Sequence, residues 1–442
     1  TPATDTGISS DDNVTSDTTP IFTGSCTNAD TIALYVDGVA TGDNAVCASS
    51  TYVVTALTPL VDGGYTITAT ATGASAVESP QSQAALITID TSAPSAPSIP
   101  DLTSGTDTGI SSTDNITAET FPILSGTCSN GETVTLYLDG LSTSATNLCA
   151  TGIYTIATPN ALISNNYQFT ATTTDVAGNQ SAQSTSLSVE VDTIAPSVPT
   201  APDMDTGSDS GLSANDNITN ITTPLFTGSC VSGDTIKLYI NSSLTTGSAL
   251  CSASTYSINT PDPLTNGTHN IGITATDPAG NSSSESASLS ITIDTTSPIA
   301  PAINNLITNN TSPVITGVAA LGAGESLMVS VNGSNYDVTV SGGAWSLDTS
   351  SSAPVSGSAF SPLADNVYTI SATTTDTSGN SSSDSSTNEL TVDTTPPSAP
   401  SIPDLIAAND SGSSTTDNIT NDNTPSFEGV CTTNETIKLY VN

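Results

Sequence analysis

The nine residues Asp209–Asn217, read DSGLSANDN, constrain this chain more than any other stretch because they return in register. Copies start at Asp5 (DTGISSDDN), Asp107 (DTGISSTDN) and Asp410 (DSGSSTTDN); the first three begin 102 residues apart, and the fourth follows after 201. A polar run of Asp, Gly and Ser has no apolar face to bury, so its recurrence predicts a loop with one task in a chain of tandem repeats. Three further landmarks keep the 102-residue step: Cys26, Cys128 and Cys230; Cys47, Cys149 and Cys251; Asp90, Asp192 and Asp294. The next such aspartate is Asp393, which makes the fourth unit 99 residues long. Prolines follow each of these aspartates (Pro94, Pro196, Pro298, Pro396), the mark of a short stiff linker that cannot extend a sheet. The expected units are residues 1–90, truncated at their start, then 91–192, 193–294, 295–393, and an incomplete fifth, 394–442. A start without Met and a stop inside a repeat read as a piece of something longer.

Within a unit the pattern is all-β. IALYVDG, VTLYLDG and IKLYINS (from Ile32, Val134 and Ile236) alternate apolar with polar residues and end on turn formers. TYVVTA, YTITATAT and AALITID, with their counterparts, supply further strands, and no helical stripe of useful length occurs. About seven short strands in ~100 residues predict tandem immunoglobulin-like β-sandwich domains in a linear array. Tyr65, Tyr167 and Tyr368 each follow a leucine by five residues, the place of a tyrosine corner; His269 takes that register in the third unit. Trp345 falls where other units carry Tyr52, Tyr154 and Tyr256, and is expected in the core.

The charge excludes some partners. Forty-two acidic residues stand against two lysines and no arginine, a net charge of −40. Nucleic acid needs basic side chains, so it is not an expected partner, and anionic membrane surfaces are disfavoured by the same sign. Disorder is countered by 35% hydrophobic residues set in alternating runs. No stretch is long and apolar enough to predict a membrane span. Sequons such as DNVT and DNIT weigh little in a chain so rich in Asn and Thr. No catalytic constellation stands out: His269 has no spaced partners, and the sparse aromatics line no cleft. The chain reads as no enzyme.

The cysteines pair by register as Cys26–Cys47, Cys128–Cys149 and Cys230–Cys251, and Cys431 awaits a partner past residue 442. Disulfides imply an oxidising compartment; zinc is the rival, yet two sulfurs without nearby histidine fall short of four ligands.

A second acidic motif lies between the last two strands: DVAGN at Asp175, DPAGN at Asp277 and DTSGN at Asp376, with Gly73 in the aspartate register of the first unit. Alternating strand directions place each DxGxSxxDN loop at its unit's exit pole and each DxxGN turn at the opposite pole. Loop, terminal aspartate and the next unit's turn should therefore meet. Three sets follow: Asp5, Asp12, Asp90 with Asp175; Asp107, Asp114, Asp192 with Asp277; Asp209, Asp216, Asp294 with Asp376. The fourth unit lacks the loop and the first lacks the turn, so forward pairing leaves all three sets complete. Converging carboxylates repel unless a cation intervenes, and oxygen-only ligands point to interdomain Ca2+. Solvated acidic loops are the alternative.

The linker DTTPPSAP from Asp393, the loop DNITNDNTPSFEG from Asp417 and the string LADNVYTISATTTDTSGN from Leu363 resemble the bacterial Ig-like repeats of large secreted adhesins and biofilm proteins. The resemblance covers essentially the whole chain. It implies a cell-surface sandwich array, stiffened by Ca2+ at its junctions, that projects an adhesive tip whose receptor or glycan lies outside this stretch. The aspartates above match the positions such repeats would use; the cysteines depart from the pattern. The alternative readings are a glycan- or protein-binding module acting directly in adhesion, or a spacer in a secreted enzyme.

Overall fold

The computed structural model describes Thr1 and residues 3–441. Among these every regular element is a β-strand, so no helix is long and apolar enough to cross a membrane. The chain divides into two compact units. One comprises Thr1–Asp203, Leu225–Asp262 and Asn270–Ser290; the other comprises Met204–Pro224, Pro263–His269 and the described residues from Ile291 onward.

The second repeat, in the first unit, shows the architecture best. Its larger sheet is ordered Leu141–Leu148, Thr133–Leu138, Asn165–Thr174, Leu187–Val191, Ile116–Thr117. Its smaller sheet is Ile153–Ala157, Ile123–Thr127, Asp101–Leu102. Neighbours run antiparallel, except that Ile116–Thr117 lies parallel to the last strand. Every second side chain of TVTLYL and IYTIA points inward, so Leu124, Val134, Leu136, Phe169 and Val189 are fully buried in one core. Each such side chain contributes roughly 1.5–3 kcal/mol over its exposed state. The first repeat repeats the larger sheet strand for strand, while Ile21–Ser25 pairs only with Thr51–Thr55 among the described residues. From the third repeat the first unit holds the pairs of Leu225–Ser229 with Thr255–Asn259 and of Thr235–Ile240 with Ser243–Leu250.

The second unit holds the third repeat's exit loop and the parallel pair Ile218 with Thr292, the whole fourth repeat, and the start of the fifth. The fourth repeat has its own core, in which Trp345 is 3% exposed, as its register predicts. Its penultimate strand breaks into Asn366–Tyr368 and Ser371–Thr375, where the first two repeats run ten residues without interruption. The buried Glu389 carboxylate fills the break by accepting from Ile370 N at 3.0 Å.

The corner reading holds atom for atom. Tyr65, Tyr167 and Tyr368 hydroxyls donate to the carbonyls of Val61, Ile163 and Ala364 at 2.9, 3.0 and 3.1 Å. His269 Nε2 lies 2.8 Å from Thr265 O, the same four-residue step. The eight-residue edge strands Val39–Val46, Leu141–Leu148 and Ser243–Leu250 are additions to the sequence pattern. VATGDNAV carries too few apolar residues to announce itself, and its place is set by pairing with the strand before it.

Candidate functional site at the repeat junctions

Each DxGxSxxDN loop is built from its own side chains. The first aspartate's Oδ2 accepts from the backbone N of the closing asparagine: Asp5 from Asn13 at 3.2 Å, Asp107 from Asn115 at 3.4 Å, Asp209 from Asn217 at 3.2 Å. The second aspartate forms an Asx turn, accepting at Oδ1 from the residue two on; the distances are 3.0 Å for Asp12 and 3.1 Å for both Asp114 and Asp216. Those asparagines adopt φ of 60–61°, a left-handed conformation that asparagine tolerates better than most residues. The threonine two residues on is buried, and its hydroxyl donates inward: Thr15 to Thr4 O, Thr117 to Thr106 O and Thr219 to Ser208 O, each at 2.6 Å. The DN(V/I)T string is thus a loop-closing device, and its threonine faces the interior.

The loops reach forward to the next repeat. Ile8 N donates to Val176 O at 3.4 Å and Thr6 Oγ1 to Ala177 O at 2.8 Å. Ile110 N and Thr108 Oγ1 do the same to Pro278 O and Ala279 O at 3.2 and 3.0 Å. Leu212 N and Ser210 Oγ repeat it on Thr377 O and Ser378 O at 3.3 and 2.9 Å. From the other side, the turn asparagine's Nδ2 donates to the terminal aspartate's carbonyl: Asn179 to Asp90, Asn281 to Asp192, Asn380 to Asp294, all at 2.8 Å. Gly7, Gly109 and Gly211 hold φ of 108–110°, and a Cβ on any of them would lie 2.0–2.1 Å from a turn carbonyl oxygen. Only glycine lets the two backbones approach this closely.

The carboxylates themselves face several partners. Asp175, Asp277 and Asp376 each hold their own turn, accepting from the backbone N and Nδ2 of Asn179, Asn281 and Asn380. Asp90, Asp192 and Asp294 each accept at Oδ1 from the N of the second residue of the linker. One oxygen per loop stays without a protein partner: the buried Oδ1 of Asp5, Asp107, Asp209 and, in the fifth repeat, Asp410. Asp107 and Asp209 are 5% and 4% exposed, and burial, with repulsion from Asp114 or Asp216 as a lesser cause, raises their pKa above the ordinary aspartate value. Among the described residues no group of three or more His, Cys, Asp or Glu is gathered closely enough to hold a metal ion.

Two polar registers near the junctions escape sequence reasoning. Asp30, Glu132 and Asp234 each precede the IALYV-type strand; Glu132 and Asp234 hold a buried oxygen without a partner. Burial, and then the charge of Asp277, raises the Asp234 pKa. The shared acidic position was readable, but a lone acid before a strand reads as a solvated end. Asp62, Ser164, Asn266 and Asp365 strap the linker's first residue, accepting from the N of Thr91, Thr193, Thr295 and Thr394 at 2.9–3.1 Å. Chemical variety at that position hides it.

The predicted cysteine pairs are disulfides, with Cα atoms 5.9 Å apart for Cys26–Cys47, 6.1 Å for Cys128–Cys149 and 6.0 Å for Cys230–Cys251. Cys431 is exposed and free.

Sandwich topology, corner, disulfides and register together define a tandem array of Ig-like domains. The chain belongs to the bacterial Ig-like domain family, which matches residues 1–91, 93–193, 195–295, 302–394 and 396–442. No curated protein sequence matches it. Among solved structures it is similar to the Ca2+-stabilized adhesin that helps an Antarctic bacterium reach out and bind ice, at 20% identity over 87% of this chain and 97% of that one, TM-score 0.30. It is also similar to the SGBP-B protein of a Bacteroides ovatus mixed-linkage glucan utilization locus (13% identity, 76% and 87% covered, TM-score 0.17). A third similarity is to the central fibronectin-III array of RIM-binding protein (14%, 64% and 99%, TM-score 0.19).

Proposed function

We propose that this chain is a non-enzymatic, extracellular stalk segment of a bacterial adhesin, whose repeats are held in fixed succession and brace a distal adhesive region. The observation that carries this reading is the loop-to-turn clasp, made with the same atoms at three successive junctions. Such repetition favours a load-bearing role, because the contacts fall on backbone carbonyls that stay in place while the side chains around them change. Disulfides in the first three repeats fit a secreted location.

We further propose that Ca2+ binds at these junctions. What supports this reading is the buried, partnerless Oδ1 at one loop register, an acceptor-only oxygen of the kind a hard cation takes. Asp5, Asp107 and Asp209 would supply the first ligand, and Asp12, Asp114 and Asp216, with Asp90 and Asp175, Asp192 and Asp277, Asp294 and Asp376, would have to draw in around the ion, since they are not gathered closely enough in this structure to hold one. Bound Ca2+ supplies positive charge that offsets the cost of burying these carboxylates.

Thermal melting and small-angle X-ray scattering, in Ca2+ and in EDTA, test both statements. Chelation should lower the melting temperature and shorten the maximum dimension. Unchanged values in EDTA would remove calcium; a compact, flexible particle in Ca2+ would remove the stalk.

A further inference from the structure

Each of the first four repeats sets an acid immediately before its IALYV-type strand: Asp30 before Thr31–Val36, Glu132 before Thr133–Leu138, Asp234 before Thr235–Ile240 and Glu325 before Ser326–Val331. In the third repeat the backbone at Asp234 is pinned on both sides. Its N donates to Val231 O at 3.1 Å, and its carbonyl accepts from the N of disulfide-bonded Cys251 at 2.8 Å. The side chain is 4% exposed, and its Oδ2 has no protein partner. Across from it stands the turn that begins at Asp277, which is 7% exposed. The two segments pack together: a Cβ on Gly233 would lie 3.9 Å from Pro278 Cγ. Asp277 is equally fixed, its Oδ1 accepting from Gly280 N and Asn281 N at 2.9 Å and its Oδ2 from Asn281 Nδ2 at 3.0 Å.

The second repeat repeats the arrangement. Glu132 O accepts from Cys149 N at 2.9 Å, Glu132 Oε2 is buried without a partner, and Asp175 holds the turn. The other two repeats serve as internal controls. In the first, Gly73 replaces the turn aspartate, and a Cβ on it would lie 3.2 Å from Asp30 Oδ1. The acid still faces the turn there, yet among the described residues it leaves no buried oxygen without a partner. In the fourth, Glu325 bends back to its own loop, where its Oε2 accepts from Gly322 N at 2.8 Å. The orphaned oxygen thus occurs in the two repeats that keep a turn aspartate and leave the facing acid undiverted.

We propose that Asp234 and Asp277 hold a Ca2+ ion of their own within the third repeat, and that Glu132 and Asp175 hold its counterpart within the second. Two buried carboxylates side by side are disfavoured by desolvation and by mutual repulsion, and a cation between them relieves both. The cysteines of these repeats are committed to disulfides, which leaves an oxygen-only donor set. Ca2+ accepts carboxylates, backbone carbonyls and water in an adaptable shell of about six to eight, whereas Mg2+ demands a near-ideal octahedron that a pinned backbone does not adjust to supply. The site lies inside one repeat. Asp114 and Asp101 are the charges that act on Asp107, and Asp277 is the one that acts on Asp234. Loop and turn therefore form separate acidic sets, and the inference stands whether or not the preceding loop holds an ion.

Hydrogen exchange of the intact chain in Ca2+, in Mg2+ and in EDTA tests this without any substitution. Ca2+ should slow exchange at Val231–Thr235 and at Asp277–Asn281, and Mg2+ at the same concentration should not. Asp234→Asn should abolish that slowing and lower the calorimetric Ca2+ stoichiometry by one, while Ca2+-dependent protection at Asn115 in the preceding loop persists. Asp107→Asn should do the reverse. Glu132→Gln repeats the test in the second repeat. Wild-type exchange at Val231–Thr235 that is the same in Ca2+ and EDTA overturns the site. Protection that survives Asp234→Asn and disappears with Asp107→Asn assigns the ion to the loop and also overturns it, and equal protection by Mg2+ overturns the choice of ion.

Discussion

Gly7 and Gly178 meet backbone to backbone across the first junction: a Cβ placed on Gly178 would lie 2.9 Å from Gly7 N and 3.0 Å from its Cα. Gly109 with Gly280 and Gly211 with Gly379 reproduce the contact. Replacing Gly109 by Ala should break the second clasp, through a strained positive φ costing about 1–3 kcal/mol and a collision with Pro278 O. The sandwich cores lie elsewhere, so each repeat should keep its melting transition. Relaxation-derived tumbling of the second and third repeats, coupled in the wild type and independent in the variant, would check it.

Calcium should act through the partnerless oxygen. Asp209→Asn removes charge at the third junction and keeps an acceptor for Asn217 N. Titration calorimetry should then show one fewer tight site than wild type, with the other junctions unaffected. At 100-fold excess over the dissociation constant a site stabilises by about 2.7 kcal/mol, which sets the scale of the melting shift to be lost.

Reduction should act on some repeats and spare another. Each disulfide spans 21 residues and contributes roughly 3 kcal/mol by restricting the unfolded chain. The fourth family match, residues 302–394, has no cysteine. Calorimetry with and without reductant should show transitions that move down and one that stays. A uniform downward shift would contradict independent folding of the fourth repeat.

The linker strap makes acid sensitivity uneven. Hydrogen bonds from Thr394 and Thr395 hold the Asp365 pKa below the ordinary aspartate value, and Thr91 and Ser92 do the same for Asp62. A depressed folded-state pKa gives stability that is present above the unfolded pKa and lost as pH falls through the folded one. Asn266 takes the same place without a titrating group, accepting from Thr295 and donating to Thr296 Oγ1. Asp365→Asn should therefore lower melting slightly at neutral pH and flatten its decline as pH falls from the ordinary aspartate value through the depressed one. Equal acid slopes in variant and wild type would count against the strap.

The corner hydroxyl of Tyr167 is a single bond to Ile163 O. Tyr167→Phe should cost about 0.5–1.5 kcal/mol in denaturant unfolding of the second repeat.

The sequence carried the periodic parts of this molecule plainly. Fixed register disclosed the sandwich, the corner at Tyr65 and His269, the cysteine pairs and the forward direction of the loops, because each is a residue type demanded by one backbone environment. It concealed what rests on backbone atoms. The clasp is made by the carbonyls of Val176 and Ala177, which any residue supplies, so the pattern of side chains displays only the aspartates around them. The strap at Asp62, Ser164 and Asn266 stayed hidden because three chemistries serve one acceptor role.

The clasp also sets a grammar for change in the number of repeats. Its loop half belongs to one domain and its turn half to the next. Removing the second repeat whole would present the Asp5 loop to the Asp277 turn, and removing the third would present the Asp107 loop to the Asp376 turn, so a complete joint re-forms either way. Removing the first leaves both remaining joints untouched. Length can therefore drift by whole repeats through unequal recombination while every surviving joint keeps its two halves, provided that each interior repeat carries both.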